Sequence, residues 1–518
     1  MIPFDNLGAF HPRAGNHELR RLAVRGAAAT ISASGLSLAA QVIGTVVLAR
    51  LLVPADFGVV TMVTTFSLLV ASFGLNGFTE AIIQFEGIDH FTASNLFWIN
   101  LGAGLVLAIA FAAAGSLLVR FFGNPLVANV AAGLAVGIFI ASASVIHLAL
   151  LKRAMRFAQT STNDVVGRVA NTAVAILLAF RGWGYLALVA GIVGQQLSVA
   201  LGAWWLCRWM PGLPRRTGKT GAMVRFAAKV YAQYSIAYST LNIDNLLVGW
   251  RFNAVALGFY KKAFDLFALT ASQLTTPLHN VALAALSRLK QDHVRFRRYL
   301  ANSLGIVAFA GMAMSADLTL VGRPLVRVVL GPKWSEAGRI FELFGPGIGA
   351  MLLYTTIGWI HLSIGKPERW LRWSLFQLVA TTSLFLLALR WGPAGVAAAW
   401  SICLWTLLLP AFWYAGRPIG FAASDLIAAI GRYAAAALVA GLATAAVFRG
   451  TLFWGTPSGT GAALGATVII STLFVALYLG TVILFHWGLA PLRQLTSLLR
   501  ELTPAQKEPK PAAEAVGV

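Results

Sequence analysis

Residues 97–119, FWINLGAGLVLAIAFAAAGSLLV, contain no Asp, Glu, Lys or Arg. An α-helix needs about 20 apolar residues to cross the hydrocarbon core of a bilayer, so this run is long enough to span one. Its apolar residues follow one another without the alternation that marks the strands of a membrane β-barrel. The stretch therefore predicts a membrane-spanning α-helix.

Similar apolar stretches recur along the whole chain. They predict an all-α membrane protein with about 14 transmembrane helices. The predicted spans are 27–49, 57–77, 97–119, 126–149, 163–180, 185–207, 226–249, 256–285, 299–321, 339–362, 371–390, 394–415, 425–448 and 461–487.

The composition excludes a soluble globular protein. Hydrophobic residues make up 58% of the 518 residues and charged residues only 11%, whereas a typical soluble domain has roughly 25% charged residues. The net charge of +22 comes mostly from basic residues between the apolar runs. Such residues set membrane topology and meet anionic lipids, so we expect membrane lipids, and no nucleic acid, as partners.

Chemical motifs are scarce in this sequence. The two cysteines, Cys207 and Cys403, lie inside apolar segments, which predicts small core residues rather than a disulfide. The sequence has neither a P-loop nor a paired Cys or His spacing, so we predict no catalytic residues, no metal and no cofactor. No connecting segment exceeds roughly 25 residues, which leaves no room for a soluble catalytic domain.

The distribution of basic residues predicts the topology. With the N-terminus in the cytoplasm, 28 of the 40 Lys and Arg residues fall on the cytoplasmic side and 12 on the opposite side. The positive-inside rule therefore favours fourteen spans with both termini cytoplasmic. The first 25 residues lack the features of a signal peptide, so the first span is expected to be an uncleaved anchor. The tail 504–518 is predicted to be disordered.

Two pairs of similar segments suggest an internal duplication. Residues 49–60 align with 249–260, with Gly58 over Gly258, and 180–187 resembles 389–397. This is the pattern expected from two six-helix lobes in the same orientation with a site between them, although Gly-rich turns also resemble one another by chance. The predicted division is a cytoplasmic tail 1–26, an N-lobe 27–207, a linker 208–225, a C-lobe 226–415, two further helices in 416–487 and a cytoplasmic tail 488–518.

Polar residues form stripes on two predicted spans. Intramembrane polar side chains usually face a cavity or a helix contact. In the first span we favour helix packing for the stripe, with Gln41 as a candidate substrate contact. In the seventh span we favour a cavity, because tyrosine and amide side chains offer the stacking and hydrogen bonding that a sugar needs. That second stripe consists of Tyr231, Tyr234, Tyr238, Asn242, Asn245 and Gly249.

Charged residues near the turn between spans 7 and 8 are the other candidates. Asp244 lies opposite the tyrosine stripe, where it is either structural or a site for a coupling proton or cation. Asp265 is spaced to pair with Lys261 or Lys262, so one lysine is left as net positive charge. That lysine and Arg251 are suited to binding phosphate, or alternatively to contacting lipid headgroups. In the first turn, an ion pair between Arg50 and Asp56 is expected.

Four segments resemble the polysaccharide transporters, the oligosaccharide flippases of the superfamily that also includes the multidrug exporters. They lie at the first turn, after span 4, around the span 7–8 turn and at the end of span 8, and the nearest subgroup is the colanic-acid and succinoglycan exporters. The residues concerned are Arg50-Leu51-Leu52, Pro54, Asp56-Phe57-Gly58, Lys152-Arg153, Met155-Arg156-Phe157, Asn242, Asp244, Asn245, Leu257-Gly258-Phe259-Tyr260, and Leu283 to Leu289 with Asp292.

The resemblance implies two six-helix lobes forming a V, with two additional C-terminal helices. It also implies transport of undecaprenyl-pyrophosphate-linked oligosaccharides across a bacterial inner membrane for exopolysaccharide, capsule or lipopolysaccharide synthesis. A polysaccharide polymerase and a chain-length regulator are then expected partners. The alternatives are a multidrug or cation antiporter of the same superfamily and an integral-membrane polymerase. Only 18 acidic residues are present, which disfavours a cavity for cationic drugs.

Overall fold

The computed structural model describes residues 3–5, 8–10, 16–72, 77–215, 218–449 and 459–488. Helices make up nearly all of this part of the chain, and it contains no β-strand beyond isolated bridges. The all-α fold class is therefore confirmed. The predicted disordered tail 504–518 lies outside the described residues.

The first half of the chain forms nine helices separated by short breaks. Pro54 begins one of them, and the carboxylate of Asp89 caps another by accepting a hydrogen bond from the Thr92 amide at 2.7 Å, as expected at a helix N-terminus. The helices are α1 (Asn16–Leu51), α2 (Pro54–Ser72), α3 (Thr79–Gln84), α4 (His90–Ala113), α5 (Gly115–Phe122), α6 (Leu126–Ser142), α7 (Val145–Arg153), α8 (Phe157–Phe180) and α9 (Tyr185–Cys207).

The second half forms ten further helices. Asn253 and Asp292 cap two of them through their side chains, and Pro346 stands at a bend of 58° between neighbouring helical segments. The helices are α10 (Thr220–Arg251), α11 (Ala254–Arg288), α12 (His293–Leu330), α13 (Ser335–Phe344), α14 (Gly347–Thr355), α15 (Ile357–Ser363), α16 (Pro367–Ala388), α17 (Gly392–Gly416), α18 (Ala423–Arg449) and α19 (Thr460–His486).

The chain is a multi-pass membrane protein. Within the described residues, ten helical segments are long and apolar enough to cross a membrane, or eleven if the bent pair around Pro346 counts as one span. Helices α10 and α11 are not among them, because both carry several polar and charged residues. Each of the fourteen predicted stretches overlaps a helix or a run of consecutive helices. The number of crossings itself stays a prediction.

The helices pack as two groups with an appendage. We call α1–α9 the N-lobe and α10–α17 the C-lobe. Neighbouring helices within the N-lobe contact one another extensively, and α18 and α19 pack against α12 and each other. The lobes meet mainly where α2 contacts α11, and also where α2 contacts α10.

The contact between α2 and α11 is reciprocal. A Cβ added to Gly58 would lie 1.7 Å from the carbonyl oxygen of Ala254, and a Cβ added to Gly258 would lie 1.9 Å from the carbonyl oxygen of Pro54. Both glycines therefore allow one backbone to touch the other. The two pairs are related by the offset of 200 residues seen in the sequence, and reciprocal contacts are what a two-fold relation produces. This geometry favours duplication over chance similarity.

One local prediction is wrong. No ion pair joins Arg50 and Asp56 among the described residues. The Arg50 guanidinium donates a hydrogen bond to the carbonyl of Val328 at 3.3 Å, and Asp56 accepts one from the amide of Val53 at 3.1 Å. The carboxylate stabilises the start of its own helix, and the arginine reaches the C-lobe.

Candidate functional site

The tyrosine stripe of α10 faces the N-lobe. The Tyr231 hydroxyl donates a hydrogen bond to the carbonyl of Leu69 at 3.0 Å, and the Tyr238 hydroxyl donates one to the carbonyl of Thr65 at 3.1 Å. Both acceptors belong to α2. The stripe predicted from the sequence therefore lies at the boundary between the lobes, and two of its hydroxyls connect them.

The rest of the stripe runs from half-buried to fully packed. Tyr234 stacks on Tyr238 with ring centroids 5.9 Å apart, and the Asn242 amide donates to the Tyr238 carbonyl at 3.0 Å. These three side chains are half-buried. Asn245 is only 1% exposed, and its Oδ1 has no hydrogen-bond partner. Gly249 is packed against the rings and methyl groups around it. The half-buried three are thus the members that a ligand reaches most directly.

Asp244 lies in the interior of the C-lobe. It is fully buried, and its Oδ2 accepts hydrogen bonds from the Tyr260 hydroxyl at 2.7 Å and the Trp400 indole at 2.9 Å. These donors stand on α11 and α17, so the carboxylate joins three helices. The two hydrogen bonds offset part of the cost of burying it, although Oδ1 has no partner.

Two lysines share one carboxylate on α11. The Lys261 ammonium lies 2.8 Å from Asp265 Oδ1, and the Lys262 ammonium lies 3.8 Å from Oδ2. Lys262 is buried, and its Nζ lies 4.1 Å from the ring centroid of Phe57, a residue of the N-lobe. The pairing predicted from spacing is present, and it leaves one net positive charge at the boundary between the lobes.

Arg251 and Gln41 occupy different surroundings from the lysines. Arg251 ends α10 and is exposed, with its guanidinium carbon 5.8 Å from the ring centroid of Phe252. Among the ion pairs of the described residues, none includes Arg251. Gln41 is exposed on α1. Both side chains are therefore available to a ligand or to lipid.

Trp334 closes the interface where α2 and α11 begin. Its indole donates to the carbonyl of Ala49 at 2.8 Å, and its ring contacts Phe57 edge-on with centroids 5.4 Å apart. Phe259 packs against the same ring from the C-lobe at 5.9 Å. Sequence reasoning missed Trp334, because its partners lie almost 300 residues away and no local pattern marks it.

Asp317 is a second residue that the sequence analysis missed. It lies within α12, accepts a hydrogen bond from the Ser471 hydroxyl of α19 at 3.1 Å, and has a buried Oδ1 without a partner. A signal was available, since Asp317 is the only acidic residue in the predicted span 299–321. Intramembrane carboxylates are functional candidates by default.

No metal centre is evident in the part of the chain that the structure describes. No group of three or more His, Cys, Asp or Glu side chains lies close enough together to hold an ion there. Cys207 and Cys403 are free and buried, as predicted for core residues.

Solved transporter structures share this fold. The chain resembles the inward closed conformation of the lipid II flippase MurJ with a TM-score of 0.72 and 13% identity, over 89% of this chain and 99% of that one. It also resembles an inward-facing multidrug resistance transporter of the MATE family with a TM-score of 0.60 and 14% identity, over 75% and 95% of the two chains. At these identities the likeness shows the fold alone.

Sequence relatives agree with one another on the biological process. The chain is 22% identical to the succinoglycan biosynthesis transport protein ExoT of Rhizobium meliloti, over 65% of this chain and 68% of the relative. It is 21% identical to the lipopolysaccharide biosynthesis protein WzxC of Escherichia coli, over 65% and 70%. Residues 47–339, more than half of the chain, match the family described as "Polysaccharide biosynthesis protein". The chain therefore belongs to the polysaccharide biosynthesis protein family, as its sequence motifs indicated.

Proposed function

We propose that this protein is a flippase that moves undecaprenyl-pyrophosphate-linked oligosaccharide repeat units across the bacterial inner membrane by alternating access. The observation that carries the proposal is the reciprocal packing of two similar lobes in a member of the polysaccharide biosynthesis protein family. Relatives named for transport in succinoglycan synthesis and for lipopolysaccharide synthesis support the substrate class. The protein is then a transporter rather than an enzyme.

The lobe contact at Gly58 and Gly258 is the part that must open. In the structure it is closed by backbone contact and by Trp334. The positive-inside rule puts this end on the non-cytoplasmic side. Release of substrate to that side requires α2 and α11 to separate, while loading requires them to close again.

The charges near the turn between α10 and α11 attract the pyrophosphate. Lys262 stands at the lobe boundary, and the Lys261–Lys262–Asp265 cluster carries a net charge of +1. Arg251 adds a guanidinium that binds phosphate oxygens through two parallel hydrogen bonds. A permanent positive charge near the lobe boundary favours a substrate with an anionic head over a cationic drug.

The sugars contact the half-buried part of the α10 stripe. Tyr234 and Tyr238 offer stacked aromatic faces, which suit the apolar face of a pyranose, and Asn242 offers an amide. Asn245 and Gln41 extend the same polar surface once the lobes separate. Asp244 or Asp265 then couples the movement to a proton or cation gradient.

This function places the protein in a biosynthetic assembly of the inner membrane. Both termini lie in the cytoplasm, and the partners are membrane lipids, a polysaccharide polymerase and a chain-length regulator. The glycan goes to exopolysaccharide, capsule or lipopolysaccharide. No cofactor or nucleic acid takes part.

A reconstitution assay tests the proposal. The full chain in proteoliposomes receives a fluorescent undecaprenyl-pyrophosphate oligosaccharide, and a membrane-impermeant quencher reports which leaflet holds it. We expect protein-dependent transfer that Arg251→Ala reduces. Arg181→Ala is the matched control, because Arg181 is also exposed and predicted to lie on the same side.

The same vesicles distinguish the rival functions. Transfer at the rate of empty liposomes, together with efflux of a cationic dye, would favour the antiporter and contradict the proposal. Lengthening of the glycan during incubation would identify a polymerase. Unchanged transfer in Arg251→Ala would remove Arg251 from the substrate path and leave the flippase assignment standing.

A further inference from the structure

A cavity of about 520 Å³ lies between α12, α18 and α19, away from the boundary of the lobes. Small residues, including Ala301, Gly305 and Ala429, leave the space open. Tyr433 and His486 stack at its wall with ring centroids 4.7 Å apart. The helices of the appendage thus build a pocket with α12 that the transport proposal does not use.

The lining of this pocket is strongly basic. Arg297, Arg298 and Arg432 line it, and Asp425 is the one carboxylate among its lining residues. The Asp425 carboxylate already accepts a hydrogen bond from the Ala422 amide at 2.9 Å. Among the ion pairs of the described residues, none includes any of the three arginines. Three guanidiniums therefore face one carboxylate that caps its own helix.

Two of the arginines are free to meet a ligand from outside. Arg297 donates a hydrogen bond to the carbonyl of Gly420 at 3.0 Å, which fixes it to the loop before α18. Arg298 and Arg432 are exposed. A pocket with fixed and exposed guanidiniums side by side suits a phosphate group, whose oxygens accept several charge-assisted hydrogen bonds.

The pocket lies at an end of all three helices. Arg298 is in the second turn of α12, which starts at His293, and His486 is the last residue of α19. The next residue, Trp487, is 92% exposed, and tryptophan concentrates at membrane–water interfaces. The pocket therefore opens at the membrane edge, on the side where the basic loops predict the cytoplasm.

Apolar surface continues from the pocket toward the membrane centre. Ile427 and Leu438 on α18 and Leu484 on α19 are large, apolar and exposed. Acyl chains cover such a surface in a bilayer. A basic pocket at the membrane edge above an apolar helix face matches the two parts of a phospholipid.

We propose that the pocket between α12, α18 and α19 binds the phosphate headgroup of an anionic phospholipid of the cytoplasmic leaflet. Arg298 and Arg432 contact the phosphate, and Arg297 holds the adjoining loop in place. Basic pockets between membrane helices are suited to anionic headgroups. The bound lipid joins the appendage helices to α12 of the C-lobe. This site is independent of the transported substrate.

Native mass spectrometry of the full chain in detergent tests the proposal. Phosphatidylglycerol and phosphatidylcholine with identical acyl chains are added separately, and the retained lipid is counted. We expect one phosphatidylglycerol to be retained at ratios where phosphatidylcholine is lost. Arg298→Gln with Arg432→Gln weakens that retention by at least about tenfold, since each basic residue near the surface contributes about 1 kcal/mol.

Arg295→Gln is the matched control, because Arg295 is on the same turns of α12 but pairs with Asp292 at 3.2 Å. We expect this variant to bind like the wild type. Circular dichroism and the unfolding midpoint without lipid establish that the double variant is folded, and the two single variants are measured if it is not.

Three results would overturn the proposal. The first is equal retention of phosphatidylglycerol by the double variant and the wild type. The second is equal retention of the two lipids by the wild type. The third is displacement of phosphatidylglycerol by an equal concentration of inorganic phosphate, which would assign the pocket to a free anion instead.

Discussion

Gly58 and Gly258 occupy equivalent positions in the contact between the lobes. Each lies against the backbone at the start of the helix that carries the other, so that a Cβ on either would fall within 2 Å of a carbonyl oxygen. Such contact needs glycine on both sides, as in the close helix pairs of membrane proteins. It brings α2 and α11 together with few side chains in between, which suits a contact that must form and break repeatedly.

The first prediction concerns these glycines. Gly58→Ala and Gly258→Ala force the helices apart, and overpacking of this kind costs about 1–3 kcal/mol. We expect a lower unfolding midpoint in detergent and faster labelling of a cysteine placed at Phe57. Gly102→Ala is the control, since nothing lies within 4 Å of an added Cβ there. A labelling rate equal to that of the control would contradict closure by this contact.

The second prediction separates a sugar contact from a packing residue at Tyr234. The ring stacks on Tyr238 and is half-buried. Tyr234→Phe keeps the aromatic face, so transfer of the fluorescent oligosaccharide should remain close to that of the wild type. Tyr234→Ala should reduce it by about tenfold, which corresponds to the 1–1.5 kcal/mol of an aromatic stacking contact. Equal transfer by both variants would show that the ring does not contact the substrate.

The third prediction concerns the shared carboxylate at Asp265. Asp265→Asn leaves two ammonium groups close together without a counter-ion, and the wild-type side chains are partly exposed. Because solvent screens such pairs, we expect a loss of about 1 kcal/mol in the free energy of unfolding. Lys262→Met in the same background should recover most of it. Glu336→Gln, in an exposed ion pair with Arg339, serves as the control and should have no measurable effect.

The fourth prediction concerns Asp244. Asp244→Asn retains an oxygen that accepts hydrogen bonds from Tyr260 and Trp400, so the protein should fold normally. Asp244→Ala leaves two buried donors without a partner and should lose about 2 kcal/mol or more. If Asp244 carries the coupling ion, transfer by Asp244→Asn no longer responds to an imposed gradient. A wild-type response in that variant would exclude Asp244 from coupling.

The helices and the turns between them were predictable because hydrophobic runs and Pro or Gly breaks are local signals. The α10 stripe was also predictable, since a helical period alone puts Tyr231 and Tyr238 on one face. Long-range partners were not. The donor from Trp400 to Asp244 lies 156 residues away, and the Ala49 carbonyl that binds Trp334 lies 285 residues away.

Local spacing also gave a wrong partner. Arg50 and Asp56 are close in sequence, but a backbone amide takes the carboxylate and a C-lobe carbonyl takes the guanidinium. The number of membrane crossings was hard to predict for a related reason. The polar residues that make α10 and α11 suitable for a binding site also lower the hydropathy by which a span is recognised.

The most direct test of alternating access is transfer through a protein whose closed interface is locked. Phe57→Cys and Trp334→Cys, in a background with both native cysteines replaced, introduce one thiol on each side of the contact, which a reversible thiol cross-linker joins. We expect proteoliposomes to flip the fluorescent undecaprenyl-pyrophosphate oligosaccharide before cross-linking, to stop when the lobes are joined, and to resume after reduction. Undiminished transfer through the fully cross-linked protein would contradict the account.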